Sequence, residues 1–307
     1  MSTSTIAKRA VFLIELAKDN GVCLPLSDLL QLVPNGSADA LESLKTELEN
    51  SFDFSNGVVA PRSHALTLQP ATHRRAEISK EKVRYVKRLV SSHPGLFGDA
   101  LIVAVSGSAS YMSASEDDDA DLFLVIKDGK MWTTLFKLLT YIRAARVLGL
   151  ADTDYCLSII LTANSFEELL KTRRDPLLAR ELLKLVPVKG ERRLRNALAT
   201  CKWISMYFPG VTYDGGYSEQ GDVAKVSQAN LAEKILFRLL SGYLSAVAKI
   251  RNFFYDARNQ SEKVFEFIRD ENFMTYESNR YKGLRELYGK AFKEAGSSGR
   301  DYAYNTE

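Results

Sequence analysis

Apolar residues recur at helical spacing through the first fifty residues of the chain and then change to strand spacing. Apolar positions three or four residues apart predict helices over residues 5–20, 25–33 and 37–48. Residues 52–62 carry an Asn-Gly dipeptide between two short apolar segments, which is a typical hairpin signal. Three helices followed by a hairpin predict a winged-helix-like module.

The third predicted helix would be the DNA reader if this module bound duplex DNA in the major groove. Phosphate attraction dominates the affinity of proteins for DNA, so an acidic reader helix is a poor one. We therefore expect duplex DNA binding to be weak, if there is any, and favour a protein-contact or intramolecular docking role. The exposed positions of the helix hold Asp39, Glu42, Glu47 and Glu49 against the single Lys45.

Residues 65–76 contain a proline and a basic run, and we interpret them as a linker. Residues 78–91 then predict a helix with an apolar stripe and five basic residues on its other positions. The sequence favours a solvated charged face for these basic residues. A basic wall near an anionic substrate is the alternative.

The most distinctive stretch is residues 101–127, which read LIVAVSGSASYMSASEDDDADLFLVIK. An apolar run of strand length is followed by Gly107 and Ser108 in a small-residue turn. A short polar stretch, an acidic cluster at residues 116–119 and a second apolar strand at residues 121–126 complete the unit.

Two carboxylates border the second strand of this unit. Side chains alternate along a strand, so Asp119 and Asp121 should share one face while Ala120 and Leu122 point to the other. Adjacent carboxylates repel each other, and Mg²⁺ relieves that repulsion with one or two carboxylates plus phosphate oxygens as ligands. A Gly-Ser turn that opens a helix adds backbone N–H groups suited to phosphate. The pattern points to metal-assisted phosphate chemistry, although a solvated acidic loop is the simpler interpretation of the cluster alone.

The order of strand, Gly-Ser, spacer and Asp-x-Asp resembles the signature of the nucleotidyltransferase fold of the DNA polymerase β superfamily. In this chain the signature maps to Gly107, Ser108, Asp119 and Asp121. The chain resembles more closely a prokaryotic group in which such a domain follows a winged-helix-like segment, and the resemblance extends over about residues 75–209. The small Ala between the carboxylates is a weak departure, because that position is often larger.

The resemblance implies a reaction type and a set of roles. Asp119 and Asp121 would be catalytic residues that hold Mg²⁺ (or Mn²⁺), and Gly107 and Ser108 would bind the phosphates of an NTP substrate. Family members often carry a third carboxylate on a following strand, and Asp154 is the candidate here. Asp152 is a weaker option, and a cap at the connection to the preceding helix is the other interpretation of Asp154. On the same predicted strand, residues 156 and 158 would share the face of Asp154.

The remaining segments complete an α/β (α+β) architecture with a small mixed sheet flanked by helices. Residues 179–210 resemble the helices that finish the core domain of the family, and residues 209–221 predict a loop. Residues 223–259 predict a long helix, with further helix up to about residue 292. The predicted divisions are a winged-helix-like module with linker at 1–76, a nucleotidyltransferase-like domain at 77–214, a C-terminal helical region at 215–295 and a disordered tail at 296–307.

Net charge, cysteine spacing and the lengths of apolar runs limit the partners and the cellular compartment that we expect. The 307 residues carry a net charge of only +3, so no global polyanion-binding signature is present. Three widely spaced cysteines argue for a reducing, cytoplasmic compartment and against a disulfide framework or a zinc site. The sequence has neither a signal-peptide layout nor an apolar run of membrane-spanning length, so no membrane partner is expected.

Two functions from different classes follow. The first is a Mg²⁺-dependent nucleotidyltransferase that moves a nucleoside monophosphate from an NTP to a hydroxyl of RNA, a protein or a small molecule. The second is a non-catalytic binding or regulatory protein that retains the fold, with nucleic acid as a candidate partner. The uncertain third carboxylate and the appended N-terminal module motivate the second hypothesis, because fold alone does not imply function.

Overall fold

A six-stranded sheet holds the centre of the molecule in the computed structural model, which describes residues 3–149, 155–212 and 231–293. Helices cover this sheet, and a second, three-stranded sheet belongs to the N-terminal part of the chain. The predicted mixed α+β class is confirmed. The predicted tail at 296–307 and most of the predicted loop at 209–221 lie outside the described residues.

The strands of the two sheets are β1 (Leu24–Pro25), β2 (Phe52–Ser55), β3 (Val58–Pro61), β4 (Ala100–Ser106), β5 (Ala120–Ile126), β6 (Tyr155–Thr162), β7 (Val186–Lys189), β8 (Phe265–Arg269) and β9 (Phe273–Ser278). The larger sheet is mixed, with the order β7-β4-β5-β6-β9-β8. Its strands β5 and β6 run parallel, while the other neighbours are antiparallel.

Helices form most of the remaining described structure, and short 3₁₀ turns lie at Pro34–Gly36 and Ser261–Lys263. The helices are α1 (Thr3–Asp19), α2 (Leu26–Leu30), α3 (Ala38–Leu48), α4 (Ala65–Ser92), α5 (Gly107–Ser110), α6 (Met131–Val147), α7 (Ala163–Thr172), α8 (Pro176–Lys184), α9 (Glu191–Ala199), α10 (Ile204–Tyr207), α11 (Leu231–Ala257) and α12 (Asn279–Phe292).

The central pair β4 and β5 is buried on both faces, which is why both strands read as continuous apolar runs. Val103 and Leu122 belong to the apolar core on one side of the sheet. Ala104 and Phe123 belong to the core on the other side. The predicted alternation of side chains is therefore confirmed inside these strands.

The N-terminal unit has the predicted order of three helices and a hairpin. The Ser37 hydroxyl accepts a hydrogen bond from the Ala40 N–H at the start of α3. Asn56 and Gly57 have φ values of 53° and 76°, as a tight hairpin turn between β2 and β3 requires. The identity of this unit as a winged helix stays a prediction.

The predicted linker at residues 65–76 is wrong, because these residues form the first turns of the 28-residue helix α4. Pro70 lies inside that helix and cannot donate a hydrogen bond to the carbonyl of Leu66. Leu66 is 90% exposed, so water can satisfy its carbonyl and the helix continues through the proline.

Two segments that the sequence placed in helices are strands. β7 forms an edge of the sheet, where Pro187 is tolerated because an edge strand leaves N–H groups unpaired. β8 and β9 form a hairpin that extends the sheet through β6. The aromatic residues Phe265 and Phe267 lie two positions apart on β8, so they share one face, and both rings pack on Tyr276 of β9. The predicted C-terminal helical region therefore supplies part of the sheet.

Within the described ranges, no helix combines the length and the hydropathy that a membrane span requires.

A buried ion cluster joins the N-terminal unit to the rest of the molecule. Asp28 of α2 accepts hydrogen bonds from Arg180 Nη2 at 2.7 Å and Lys184 Nζ at 2.5 Å, both on α8. The Asp28 side chain is only 2% exposed. Burial alone would raise the pKa of Asp28, but the two cations outweigh it and hold the pKa below its ordinary value. The N-terminal unit and α8 thus share one electrostatic contact as well as one apolar core.

Replacement of Asp28 by asparagine should destabilise the protein by about 3–5 kcal/mol, because it leaves two buried cations without a counter-charge. Chemical denaturation would measure the loss. Since the folded pKa is lowered, the difference from wild type should be present at neutral pH and shrink as the pH falls below about 4.

The control is Glu191→Gln, which removes an ion pair of similar length with Arg195 at 2.5 Å. Both side chains of that pair are more than half exposed, so the loss should stay below about 1 kcal/mol. Equal losses of stability for the two variants would contradict the prediction that the buried ion cluster contributes more than an exposed ion pair.

Candidate active site at the Gly-Ser turn

The register of β4 and β5 brings the Gly-Ser turn against the paired carboxylates. Ser106, the last residue of β4, lies opposite Asp121 in the ladder. Gly107 follows with a φ of 63°, and a Cβ atom at this position would overlap the Asp121 carboxylate. Glycine suits this position for two reasons. Other residues rarely adopt this φ, and their Cβ atom would collide with the carboxylate. Ser108 is partly exposed in the first turn of α5.

The two carboxylates differ in their surroundings. Asp119 is exposed and precedes the first residue of β5, while Asp121 is partly buried on the strand. The residues between and after them, Ala120 and Leu122, are fully buried in the core on the opposite side. Asp121 therefore points away from that core toward the turn at Gly107.

Burial raises the pKa of Asp121 to about 6. A hydrogen bond from Ser158 Oγ to Asp121 Oδ1, at 2.5 Å, lowers the pKa in part. The charges of Asp119 and Asp118 raise it further. The site thus concentrates negative charge, and a bound cation would relieve it.

Basic residues of α4 anchor the acidic loop that precedes Asp119. Lys82 is 6% exposed, and its Nζ donates to the carbonyl oxygens of Asp118 at 2.5 Å and Glu116 at 3.3 Å. Arg74 forms a more exposed ion pair with the Glu116 side chain at 2.6 Å. Both residues therefore hold the loop. The solvated face that the sequence favoured for the basic residues of 78–91 is wrong for Lys82 and confirmed for the other four, which are exposed: Lys80, Arg84, Lys87 and Arg88.

The face of β6 that the sequence predicted lies beside Asp121. Cys156 is opposite Asp121 in the parallel ladder, and Ser158 donates the hydrogen bond described above. Burial raises the pKa of the Cys156 thiol to about 12, so the thiol stays protonated at neutral pH. Asp154 and Asp152 lie outside the described residues.

A partly buried acid and a tyrosine that the sequence did not single out adjoin the site. The Tyr111 hydroxyl, just beyond α5, donates to Glu181 Oε1 of α8 at 2.9 Å. Burial raises the pKa of Glu181 to about 7, and the charge of Asp121 contributes to that increase. Nothing in the local pattern identifies Glu181, because it occupies an ordinary position of an amphipathic helix.

Arg251 of α11 brings a positive charge to the edge of the site. It donates to the Tyr255 hydroxyl at 3.0 Å and lies 5.5 Å from the centre of the Phe265 ring. Burial lowers its pKa, but the Tyr255 hydrogen bond and the negative charge of Asp119 outweigh this and raise it. The Thr275 hydroxyl of β9 donates to the Ser158 carbonyl at 3.2 Å, so the C-terminal part of the chain reaches the site, which the sequence did not indicate.

The donor set suits a hard divalent cation bound together with substrate. In residues 3–149, 155–212 and 231–293, no group of three or more His, Cys, Asp or Glu side chains is arranged to hold a metal ion. Mg²⁺ commonly takes one or two carboxylates and completes its shell with water and substrate phosphate. Asp119 and Asp121 fit that requirement.

Comparisons of the chain with protein-family models, with curated proteins and with solved structures found no match.

Gly107→Ala should destabilise the protein more than Gly57→Ala, although both glycines have positive φ. Alanine at either position incurs backbone strain of about 1–3 kcal/mol. Only at residue 107 does the new Cβ also meet the Asp121 carboxylate, whereas nothing lies within 4 Å of the corresponding position at residue 57. Urea denaturation of the two variants would measure the difference. Equal losses would contradict the close approach of the turn to Asp121.

Asp121→Asn should stabilise the metal-free protein at pH 8 by up to about 3 kcal/mol, and have little effect at pH 4. The raised pKa means that the folded state binds the proton more tightly than the unfolded state. The wild type therefore loses stability as the pH rises from about 4 to about 6, and asparagine removes that loss.

Thermal melts in the presence of a chelator, at several pH values, would test this dependence. Asp117→Asn is the control, because Asp117 belongs to the same acidic loop and is exposed. A stabilisation by Asp121→Asn that does not change with pH would contradict the raised pKa of Asp121 in the folded state.

Proposed function

We propose that this protein is a Mg²⁺-dependent nucleotidyltransferase that moves a nucleoside monophosphate from an NTP to a hydroxyl acceptor. The observation that carries the proposal is the direct packing of Gly107 on the Asp121 carboxylate, with Asp119 exposed beside it. This arrangement supports the proposal, because the candidate phosphate-binding turn and the candidate metal-binding carboxylates belong to one small site. Either part alone would be weak support.

Asp119 and Asp121 are the residues that would hold the metal ion. When bound, Mg²⁺ neutralises phosphate charge and favours attack at the α-phosphorus. The Ser158 hydroxyl fixes one oxygen of Asp121, and Lys82 fixes the backbone of the loop that leads to Asp119. Both contacts orient the carboxylates before substrate binds, which is where most of the catalytic effect would come from.

Gly107 and Ser108 would bind the β- and γ-phosphates. The first N–H groups of a helical turn have no acceptor within the helix and can donate to phosphate. The Ser108 hydroxyl adds a donor at the same place. The absence of a side chain at Gly107 lets the Asp121 carboxylate lie against the turn, so phosphate bound by the turn would be next to the carboxylates.

In the reaction, an acceptor oxygen attacks the α-phosphorus, a new P–O bond forms, and the bond to the β-phosphate oxygen breaks to release pyrophosphate. The acceptor proton goes to a carboxylate. The resemblance assigns that role to Asp154, which lies outside the described residues. The acceptor class stays open between RNA, protein and small-molecule hydroxyls.

Wild-type protein, Mg²⁺ and each α-labelled NTP, incubated with cell extract as the source of acceptors, should give a labelled product. Asp121→Asn and Asp119→Asn should lower incorporation by orders of magnitude, because each removes one charge that offsets dehydration of the ion. Ser108→Ala should act more mildly, since backbone N–H groups still bind phosphate. Incorporation of label into each acceptor fraction is the measurement.

Asp117→Asn provides the matched control, and its incorporation should equal that of the wild type. Equal incorporation by wild type and Asp121→Asn would show that Asp121 does not belong to the active site. No wild-type incorporation with any NTP would favour the alternative, a non-catalytic binding or regulatory protein with this fold. Thermal melts of every variant would separate loss of activity from loss of folding.

A further inference from the structure

Helix α8 covers the face of the sheet toward which Asp121 points. Asp121 and Phe123 lie two positions apart on β5, so their side chains share one face. Phe123 packs in the same apolar core as Leu178 and Leu182 of α8. The side chains of α8 that lie beyond this core are therefore on the same side of the sheet as the Asp121 carboxylate.

The last turn of α8 lies next to the Gly-Ser turn. One residue separates the end of α8 at Lys184 from the start of β7 at Val186. Val186 pairs with Val105 of β4, which is two residues before Gly107. Glu181 belongs to this last turn of α8, so the chain brings its carboxylate to the edge of the sheet that holds the candidate site.

A tyrosine connects Glu181 to the Gly-Ser turn. The Tyr111 N–H donates to the Gly107 carbonyl at 3.3 Å, and the Tyr111 hydroxyl donates to Glu181 Oε1 at 2.9 Å. The guanidinium carbon of Arg180 and the ammonium nitrogen of Lys184 lie 5.5 and 5.8 Å from the centre of the Tyr111 ring. These contacts fix the ring, so Glu181 is held one tyrosine side chain away from the candidate phosphate-binding turn.

Glu181 has no cation partner of its own. Its neighbours Arg180 and Lys184 bind Asp28 instead, and no other basic side chain of the described ranges forms an ion pair with Glu181. Its second oxygen, Oε2, accepts no hydrogen bond from that part of the chain. Acidic side chains are seldom taken out of water without a partner, because desolvation disfavours their charged form. A partly buried carboxylate with one oxygen unused is therefore poorly suited to stabilise the fold and well suited to accept a proton.

The surroundings of Glu181 place its ionisation near neutral pH. Burial raises its pKa to about 7, and the charges of Asp121 and Asp175 contribute to the increase. The hydrogen bond from Tyr111 and the charge of Arg180 lower the pKa in part. A general base is most effective when its pKa lies near the working pH. The groups around Glu181 are Tyr111 after α5, Asp121 of β5, Asp175 and Arg180 of α8, and Tyr281 and Tyr288 of α12.

We propose that Glu181 is the proton acceptor of the nucleotidyl transfer. Glu181 Oε2 binds the hydroxyl of the acceptor and takes its proton while the acceptor oxygen attacks the α-phosphorus. The new P–O bond forms, the bond to the β-phosphate oxygen breaks, and pyrophosphate leaves with the electron pair of that bond. Glu181 then releases the proton to water. This inference rests on the proposed function, and it assigns to a helix the role that the resemblance gives to Asp154.

Glu181→Gln tests the assignment, because the amide keeps the size of the side chain and still accepts from Tyr111 but cannot take a proton. In the incorporation assay with saturating NTP, kcat should fall by about 10²–10⁴-fold. The KM for NTP should change little, since the groups that would hold metal and phosphate are untouched. Glu168→Gln is the matched control, because Glu168 is exposed on the neighbouring helix α7, and its kcat should equal that of wild type.

The pH profile of kcat separates proton transfer from a structural role. Wild-type kcat should rise with pH and level off above an inflection at or below about pH 7, because a bound cation offsets the Asp121 charge that raises the Glu181 pKa. Glu181→Gln should lack this inflection. Tyr111→Phe removes a hydrogen bond that stabilises the charged carboxylate, so its inflection should lie at higher pH. An inflection that stays in place in both variants would overturn the proposal.

Thermal melts distinguish loss of proton transfer from loss of folding. Glu181→Gln should melt at or above the wild-type temperature at pH 8, because the raised pKa means that ionisation of Glu181 costs the folded state stability. Product that is lost in Asp121→Asn but formed at the wild-type rate by Glu181→Gln would overturn this inference alone. No labelled product from wild type with any NTP would overturn this inference together with the proposed function.

Discussion

The close packing of the turn at Gly107 on the Asp121 carboxylate is the constraint on which the candidate site depends. It requires a residue without a side chain at the end of β4 and a carboxylate at the start of β5. Neighbouring antiparallel strands bring these positions together without any long-range adjustment. Other features of the site arise around this contact: the Ser158 hydrogen bond, the raised pKa of Asp121 and the exposure of Asp119.

Buried charged side chains hold the acidic loop and helix α8 in place next to this contact. Lys82 binds two loop carbonyls from within the protein, so the acidic loop is held by an ammonium group rather than left in solvent. Two neighbouring residues of α8 contact different regions of the molecule. Arg180 donates a hydrogen bond to Asp28 of the N-terminal unit, and Glu181 accepts one from Tyr111 beside the turn. A change in the position of the N-terminal unit would therefore act on the helix that also contacts the site.

The central strands and the candidate site could be predicted because their signals are local. An apolar run buried on both faces, an Asn-Gly hairpin and Asp-x-Asp at a strand start each follow from neighbouring residues and backbone geometry. The errors fell where context overrides local preference. Pro70 suggested a break, yet its helix continues because an exposed carbonyl can be solvated. The β7 and β8–β9 segments looked like parts of helices, yet they pair with strands distant in the sequence.

By itself, the sequence determined the α+β class and the two central strands, since the spacing of apolar residues along one chain sets which side chains can share a strand face. It also singled out the candidate site residues Gly107, Ser108, Asp119 and Asp121. Only the tertiary structure decided which distant groups meet them. Glu181, Lys82 and Arg251 lie on three different helices, and their approach to the site depends on how those helices pack on the sheet. Periodicity reports the face that an element buries, but it does not report which other element covers that face.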